Sequence, residues 1–266
     1  MESTLTLSKE QIAFYHQNGF LALENFVPVS EIDRIREAYD RIFAERAGRE
    51  EGNQFDLAGT DEEGKQAALP QILGPSRYAP ELAQGLFRVN GLAIAKQLLG
   101  EDAILMGDHA IFKPAHYGSV TPWHQDEAYW NPMMDYNSFS LWMPLQEATI
   151  ENGCLQFIPK SHRLEVLAHH SIGHDTRIHG LEVEGADVTD AVPCPLPTGG
   201  CTIHHNRTLH YAGPNHTEIP RRALIIGYGV PPTPRSSNRR FPWNDAKQTP
   251  REDRARTAAE QAGKVI

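Results

Sequence analysis

Over the first hundred residues the apolar positions recur at helical spacing, and after residue 103 they gather into short runs broken by Gly, Pro and Asn. The stretch 8–20 places Ile12, Phe14 and Tyr15 between a capping Ser8 and Gly19, which predicts a short helix closed by glycine. A strand is expected over 20–27. From 30 to 47, Ile32, Ile35, Ala38, Tyr39, Ile42 and Phe43 mark a longer amphipathic helix. Residues 48–66, rich in Gly, Glu and Asp and without a period, predict an exposed loop with a solvated acidic face. Helical spacing returns over 80–99, at Leu82, Leu86, Val89, Ile94 and Leu98, with Gly100 as the stop.

The later runs predict strands over 103–112, 121–126, 139–145, 154–158, 200–210 and 223–230. Many short strands joined by turns indicate a mainly β protein with flanking helices, here a jelly roll. Helices within 8–100 packed on a core over 103–230 make one domain over 1–242, followed by a charged surface tail over 243–266. The polar, His-rich stretch 163–192 predicts a long loop over one mouth of the barrel, the usual place for a lid.

Composition narrows the function classes. With 266 residues, 40% hydrophobic and 22% charged, the chain fits a globular domain, and no apolar run approaches the ~18 residues of a membrane span. A net charge of -9 argues against general binding to nucleic acid or anionic lipid, which leaves a small-molecule substrate. Oligomeric state is not legible. Cys154, Cys194 and Cys201 are odd in number and lack metal-site spacing, so they read as small buried hydrophobes. The polar first residues lack a signal-peptide core, and the expected compartment is a reducing cytoplasm.

Candidate chemistry centres on Thr121-Pro122-Trp123-His124-Gln125-Asp126. On an extended strand His124 and Asp126 project from one face while Gln125 points away, although strand twist could bring Gln125 to cosubstrate or substrate. An imidazole and a carboxylate on one face can grip a divalent metal, and a second histidine would complete a facial triad with open positions for cosubstrate and oxygen. His210, at the end of the predicted 200–210 strand, is the best third ligand; His204 shares its face by parity, and His205 does not. Beyond the next turn, Arg221 or Arg222 could fork onto the carboxylate of 2-oxoglutarate; periodicity does not choose between them. Tyr129, Trp130, Met133 and Met134 are placed to line a substrate mouth or simply to pack its rim. His169, His170, His174 and His179 match no compact metal motif and read as loop histidines.

These residues carry a family resemblance. The elements W-H-Q-D ending at Asp126, E-N-G-C-L-Q-F-I-P-K-S-H-R from Glu151, R-T-L-H-Y-A-G-P-N-H-T from Arg207, the following Arg221 and the opening Y-H-Q-N-G-F from Tyr15 are similar to those of the phytanoyl-CoA dioxygenase family. They run in the family's order over roughly 10–230. The resemblance implies a double-stranded β-helix, the cupin-like form of the jelly roll. It further implies Fe(II) held by His124, Asp126 and His210, with 2-oxoglutarate and O2 as cosubstrates and Arg221 on the 5-carboxylate. Trp142 matches a tryptophan of the cosubstrate pocket, and Lys113 a frequent basic position. Two departures are visible: Lys160 stands where relatives often have glycine, and Ala212 cannot supply a serine hydroxyl that some use on 2-oxoglutarate. A halogenating branch has a small residue in place of the carboxylate, so Asp126 argues against halogenation.

The expected reaction is hydroxylation of an unactivated C–H bond with release of succinate and carbon dioxide, desaturation or ring formation being open to the same centre. The alternative is a non-catalytic sensor of iron or 2-oxoglutarate, or a cupin-like metal isomerase. Fold-level likeness leaves the substrate open.

Overall fold

A computed structural model describes residue 3, residues 5–116 and residues 119–263. Helix α1 (Lys9–Asn18) starts and stops where its sequence says. The Ser8 hydroxyl accepts from the Gln11 N–H, the Gln11 side chain accepts from the Ser8 N–H, and Gly19 ends the helix at φ 83°. Strand β1 (Phe20–Leu23) is shorter than predicted, and α2 (Val29–Ala44) follows.

The acidic stretch 48–66 departs from its predicted exposed loop. Strand β2 (Gln54–Asp56) runs through it and pairs with β3 (Pro70–Leu73). Two of its acids face inward to defined partners, while Glu50, Glu51, Glu62 and Glu63 stay exposed: Asp56 accepts from the N–H groups of Ala58, Ala68 and Leu69, and Asp61 meets Arg49 and Arg254 at 2.5 Å each. Acidity without periodicity resembles a solvated loop until distant donors are known. Helix α3 (Leu86–Leu99) begins later than predicted because Pro80–Ala83 forms a separate 3-10 turn.

The remaining strands are β4 (Ile104–Lys113), β5 (Thr121–His124), β6 (Met134–Asp135), β7 (Ser138–Pro144), β8 (Leu155–Phe157), β9 (His169–Ser171), β10 (Leu181–Val183), β11 (Val192–Pro193), β12 (Cys201–His205), β13 (His210–Ala212), β14 (Arg221–Gly229) and β15 (Thr233–Pro234). Seven form one antiparallel sheet in the order β1-β12-β7-β14-β4-β3-β2, and four form another in the order β11-β8-β13-β5. Together they make the double-stranded β-helix core. The predicted 200–210 strand is in fact two, β12 in the large sheet and β13 in the small one, separated by a turn at 206–209. Within the His-rich stretch the short β9–β10 pair interrupts an otherwise irregular run, whose His179 reaches the cavity.

Strands β7 and β14 read as continuous apolar runs because both their faces are covered. Leu141, Met143, Leu224 and Ile226 pack with Ile32, Ile35 and Ile42 of α2 and Phe87 and Ile94 of α3, while Trp142, Ala223 and Ile225 turn to the opposite face and cluster with Leu155 and Phe157 of β8. Each fully buried Ile or Phe in the helix–sheet layer contributes about 1.5–3 kcal/mol. That layer holds the large sheet rigid behind the inter-sheet cavity.

Residues 243–263 run along the surface of the body. After α4 (Pro242–Asp245), α5 (Pro250–Gln261) is capped by a Thr249–Glu252 box and is tied to the body through Arg251 Nε to the Gly52 carbonyl and through Arg254 to Asp61. Trp243 Nε1 and Asn244 Nδ2 both donate to the Ala128 carbonyl, just after the H-x-D stretch. Residues 264–266 of the expected tail lie outside the described residues. Among the described residues no helix is long and apolar enough to cross a membrane.

Candidate active site

Strands β5 and β13 lie side by side, with His124 and His210 directly opposite and their ring centroids 4.1 Å apart. Each ring is fixed by a carbonyl two residues back: His124 Nδ1 lies 2.7 Å from the Pro122 carbonyl in β5 and His210 Nδ1 2.9 Å from the Thr208 carbonyl in the preceding turn. A carbonyl only accepts, so both Nδ1 atoms carry protons and both Nε2 atoms present lone pairs. Strand β5 ends at His124, but Gln125 keeps an extended conformation (φ −120°, ψ 132°), so Asp126 returns to the histidine side as it opens a 3-10 turn. Asp126 Oδ1 lies 3.7 Å from His124 Nε2 and 3.6 Å from His210 Nε2, and one ligand atom from each of the three residues lies within 4.8 Å of the others.

The electrostatics suit a cation. Burial lowers the pKa of both imidazoles, keeping them neutral. Burial alone would raise the Asp126 carboxyl, but His210, His204 and His124 outweigh it and hold the group well below its ordinary range. Asp126 Oδ2 is occupied separately: Ser140 Oγ donates to it at 2.6 Å and His204 Nε2 lies 3.3 Å away. Ser140 carried no sequence signal. His204 does face the site, its ring centroid 4.3 Å from that of His210, but it approaches from the opposing sheet and not by parity along a shared strand. His205 turns away, accepting from the Arg207 N–H and packing near His162.

The two arginines separate cleanly. Arg221 is 1% exposed, its Nε and Nη1 have no hydrogen-bond partner among the described residues, and its guanidinium lies 5.4 Å from the Trp142 ring centroid. Burial lowers it to about 10. Arg222 points outward and binds both carboxylate oxygens of Asp40, at 2.5 and 3.0 Å. Arg222→Ala is therefore expected to leave 2-oxoglutarate affinity within about twofold and to cost about 1 kcal/mol of stability, because a partly exposed pair contributes little; calorimetric titration and thermal melting check both.

Two candidate assignments need correction. Lys113, expected in the cosubstrate pocket, is buried with its ammonium donating to the carbonyls of Ser119, Ala212 and Gly213, so all three of its donors are used. It ties the turn after β13 to β4 instead of facing the cavity. Gln125, considered for substrate, is fully buried; its amide donates to the Arg207 carbonyl and accepts from the Leu167 N–H, pinning the approach to β9.

A cavity of about 540 Å³ joins these parts, lined among others by His124, Asp126, His210, Trp142 and Arg221. Tyr129 and Trp130 reach it as well, and the Tyr129 hydroxyl accepts from the Leu181 N–H. Met133 and Met134 are not in its wall. His109 and His179, which sequence reasoning left aside, are. His169 instead accepts the Gln125 N–H, and His170 stacks on His174 at 3.7 Å between centroids. Among the described residues the only group of metal-ligand type brought together is His124, Asp126 and His210.

Comparison with known proteins agrees with this geometry. The family model described as phytanoyl-CoA dioxygenase (PhyH) matches residues 15–223. A probable alpha-ketoglutarate-dependent hypophosphite dioxygenase of Stutzerimonas stutzeri is 28% identical over 83% of this chain and 78% of its own length. EvdO2 from Micromonospora carbonacea var. aurantiaca superposes with a TM-score of 0.79 at 40% identity, covering 91% of this chain and 99% of that one. Its complex with 2-oxoglutarate gives 0.77 at 37%, with the same coverage.

Proposed function

The chain belongs to the phytanoyl-CoA dioxygenase family and is an oxygenase dependent on Fe(II), 2-oxoglutarate and O2; from that premise we propose that it hydroxylates an unactivated C–H bond of a small organic molecule. In this reading His124 Nε2, His210 Nε2 and Asp126 Oδ1 hold the iron, and Arg221 takes the 5-carboxylate of 2-oxoglutarate beside Trp142.

The observation that carries the reading is the buried Arg221, whose Nε and Nη1 are orphaned in the same cavity as two Nε2 lone pairs and a carboxylate. A guanidinium does not lose its proton, so its burial without a partner calls for an anion. Two neutral imidazoles and one carboxylate form a donor set suited to ferrous iron with positions left open. When bound, iron and 2-oxoglutarate supply, with oxygen, the oxidising power for C–H attack and release succinate and carbon dioxide. The chain's own contribution is positional: Ser140 donates to Asp126 Oδ2, with His204 beside it, so that Oδ1 faces the histidines. Trp142, Tyr129 and Trp130 give the cavity aromatic walls that hold substrate and exclude water.

Anaerobic titration of the apoprotein with Fe(II) and then 2-oxoglutarate tests the site. A weak visible metal-to-ligand charge-transfer band is the expected result. Folded protein that takes up iron and 2-oxoglutarate without the band would sink the assignment of a chelate at this cluster.

A further inference from the structure

The outer end of the cavity carries charge that the reaction centre does not use. His179 packs edge-on to Phe55 at 4.9 Å between centroids and stacks on Tyr129 at 5.7 Å. A cation caps each end of this aromatic stack: the Arg251 guanidinium lies 4.6 Å from the Phe55 centroid, and the Lys247 ammonium 4.7 Å from the Tyr129 centroid. His179 and Arg251 line the main cavity, and together with Lys247 they also line an adjoining recess of about 390 Å³ beside Trp130 and α5.

Both cations are half-buried, yet among the described residues neither has a carboxylate within ion-pairing distance. Glu252 and Asp245 also line the recess, but neither reaches ion-pairing distance of Lys247 or Arg251. Glu252 accepts from the Thr249 N–H, Asp61 is held by Arg49 and Arg254, and Asp245 pairs with Arg240. Arg251 uses Nε on the Gly52 carbonyl, which leaves its terminal nitrogens without a protein partner among the described residues. His179 Nδ1 is buried and unpartnered as well. Burial lowers the Lys247 ammonium to about 8, with Glu252 opposing the shift and Arg251 reinforcing it. Contacts with ring faces recover only part of the hydration such groups lose. A second source of negative charge would complete the arrangement, and a cationic rim on a chain of net charge -9 would also draw anions in.

We propose that this outer end is an oxyanion subsite, where Lys247, Arg251 and His179 take a phosphate or carboxylate group of the substrate while its other end extends toward His124, Asp126 and His210. The identity of the reacting end rests on the oxygenase reading above; the anion-binding end stands on its own contacts. Arg221 lies on β14 and is assigned to the cosubstrate, so the two anion sites are separate.

The test uses the full chain loaded anaerobically with Fe(II) and saturating 2-oxoglutarate, so that Arg221 is already engaged. Calorimetric titration with phenyl phosphate, benzoate and phenol compares one ring carrying different charge. At least one of the two anions is expected to bind about 10-fold tighter than phenol or better, as a charge-assisted contact allows. Lys247→Met and Arg251→Met keep apolar stems on the rings and are each expected to remove most of that preference, whereas Lys247→Arg retains it. Tighter binding of phenyl phosphate assigns the group as phosphoryl; tighter binding of benzoate assigns a carboxylate. In the unaltered protein, whichever anion binds is expected to slow acetylation of Lys247 by acetic anhydride, read by peptide mass spectrometry. Anions binding no better than phenol, a preference that survives both methionine variants, or no protection of Lys247 would overturn the proposal. The visible band keeps the two readings distinct: a missing band with anion preference intact removes the iron chelate and leaves the subsite, and an intact band without anion preference removes the subsite alone.

Discussion

His210→Ala is expected to abolish tight Fe(II) binding and with it the visible band, lowering 2-oxoglutarate turnover on the order of 10³-fold or more, the rate equivalent of the several kcal/mol a bound metal supplies. The argument is geometric. His210 and His124 present their Nε2 atoms from adjacent strands, each ring held through Nδ1 by the carbonyl two residues before it, and among the described residues no other histidine joins their metal-ligand group to replace His210. His204 comes nearest, but it stands on the opposing sheet at Asp126 Oδ2, the oxygen turned away from the histidine pair. Iron content after gel filtration, with the far-ultraviolet spectrum as a folding control, decides the matter. Retained stoichiometric iron in folded His210→Ala protein would remove His210 from the ligand set.

Arg221→Met should act in two opposite directions. Affinity for 2-oxoglutarate is expected to fall by about 100-fold or more, since truncating one side of a buried charge-assisted pair costs about 2–5 kcal/mol. The apoprotein, in contrast, should melt at the same temperature or higher. Arg221 is 1% exposed with two orphaned nitrogens, so the ligand-free fold bears the desolvation of an unpaired ion, and methionine removes it while keeping contact with Trp142. For a chain of this size each kcal/mol regained corresponds to about 2–4 °C. Thermal melts with and without 2-oxoglutarate separate the effects: a large ligand-induced rise in the wild type, and a higher baseline with little rise in the variant. A strongly destabilised apoprotein would instead mean that Arg221 serves the fold.

The parts of this site that were legible in the sequence are those fixed by short-range geometry. His124 and Asp126 sit two residues apart, and the alternation of an extended chain places both on one side even though the strand ends between them. Arg221 and Arg222 could not be separated that way, because adjacent residues differ only in which face is buried. The answer lay in Asp40 of α2, far away in sequence, which pairs with Arg222. Lys113 and Gln125 failed for the same reason. Their side chains meet backbone carbonyls and N–H groups of turns about forty to one hundred residues away, and no local pattern announces such partners. The barrel was readable from its short apolar runs, but the division of 200–210 between two sheets was not, since a four-residue turn rich in polar groups leaves the alternation looking continuous. The C-terminal segment reads only as a charged surface tail because α5 has no buried apolar residue; ion pairs and carbonyl contacts, which no local pattern announces, hold it to the body.

Helix α5 also bears on how such an enzyme could acquire a new substrate. The family match ends at residue 223, whereas Lys247 and Arg251 lie beyond it, on a segment that touches the cavity from outside the barrel. On the two readings proposed above, iron binding and anion recognition fall on different stretches of the chain. On these readings, changes confined to Lys247 and Arg251 would alter the mouth while leaving the strands that carry His124 and His210 untouched.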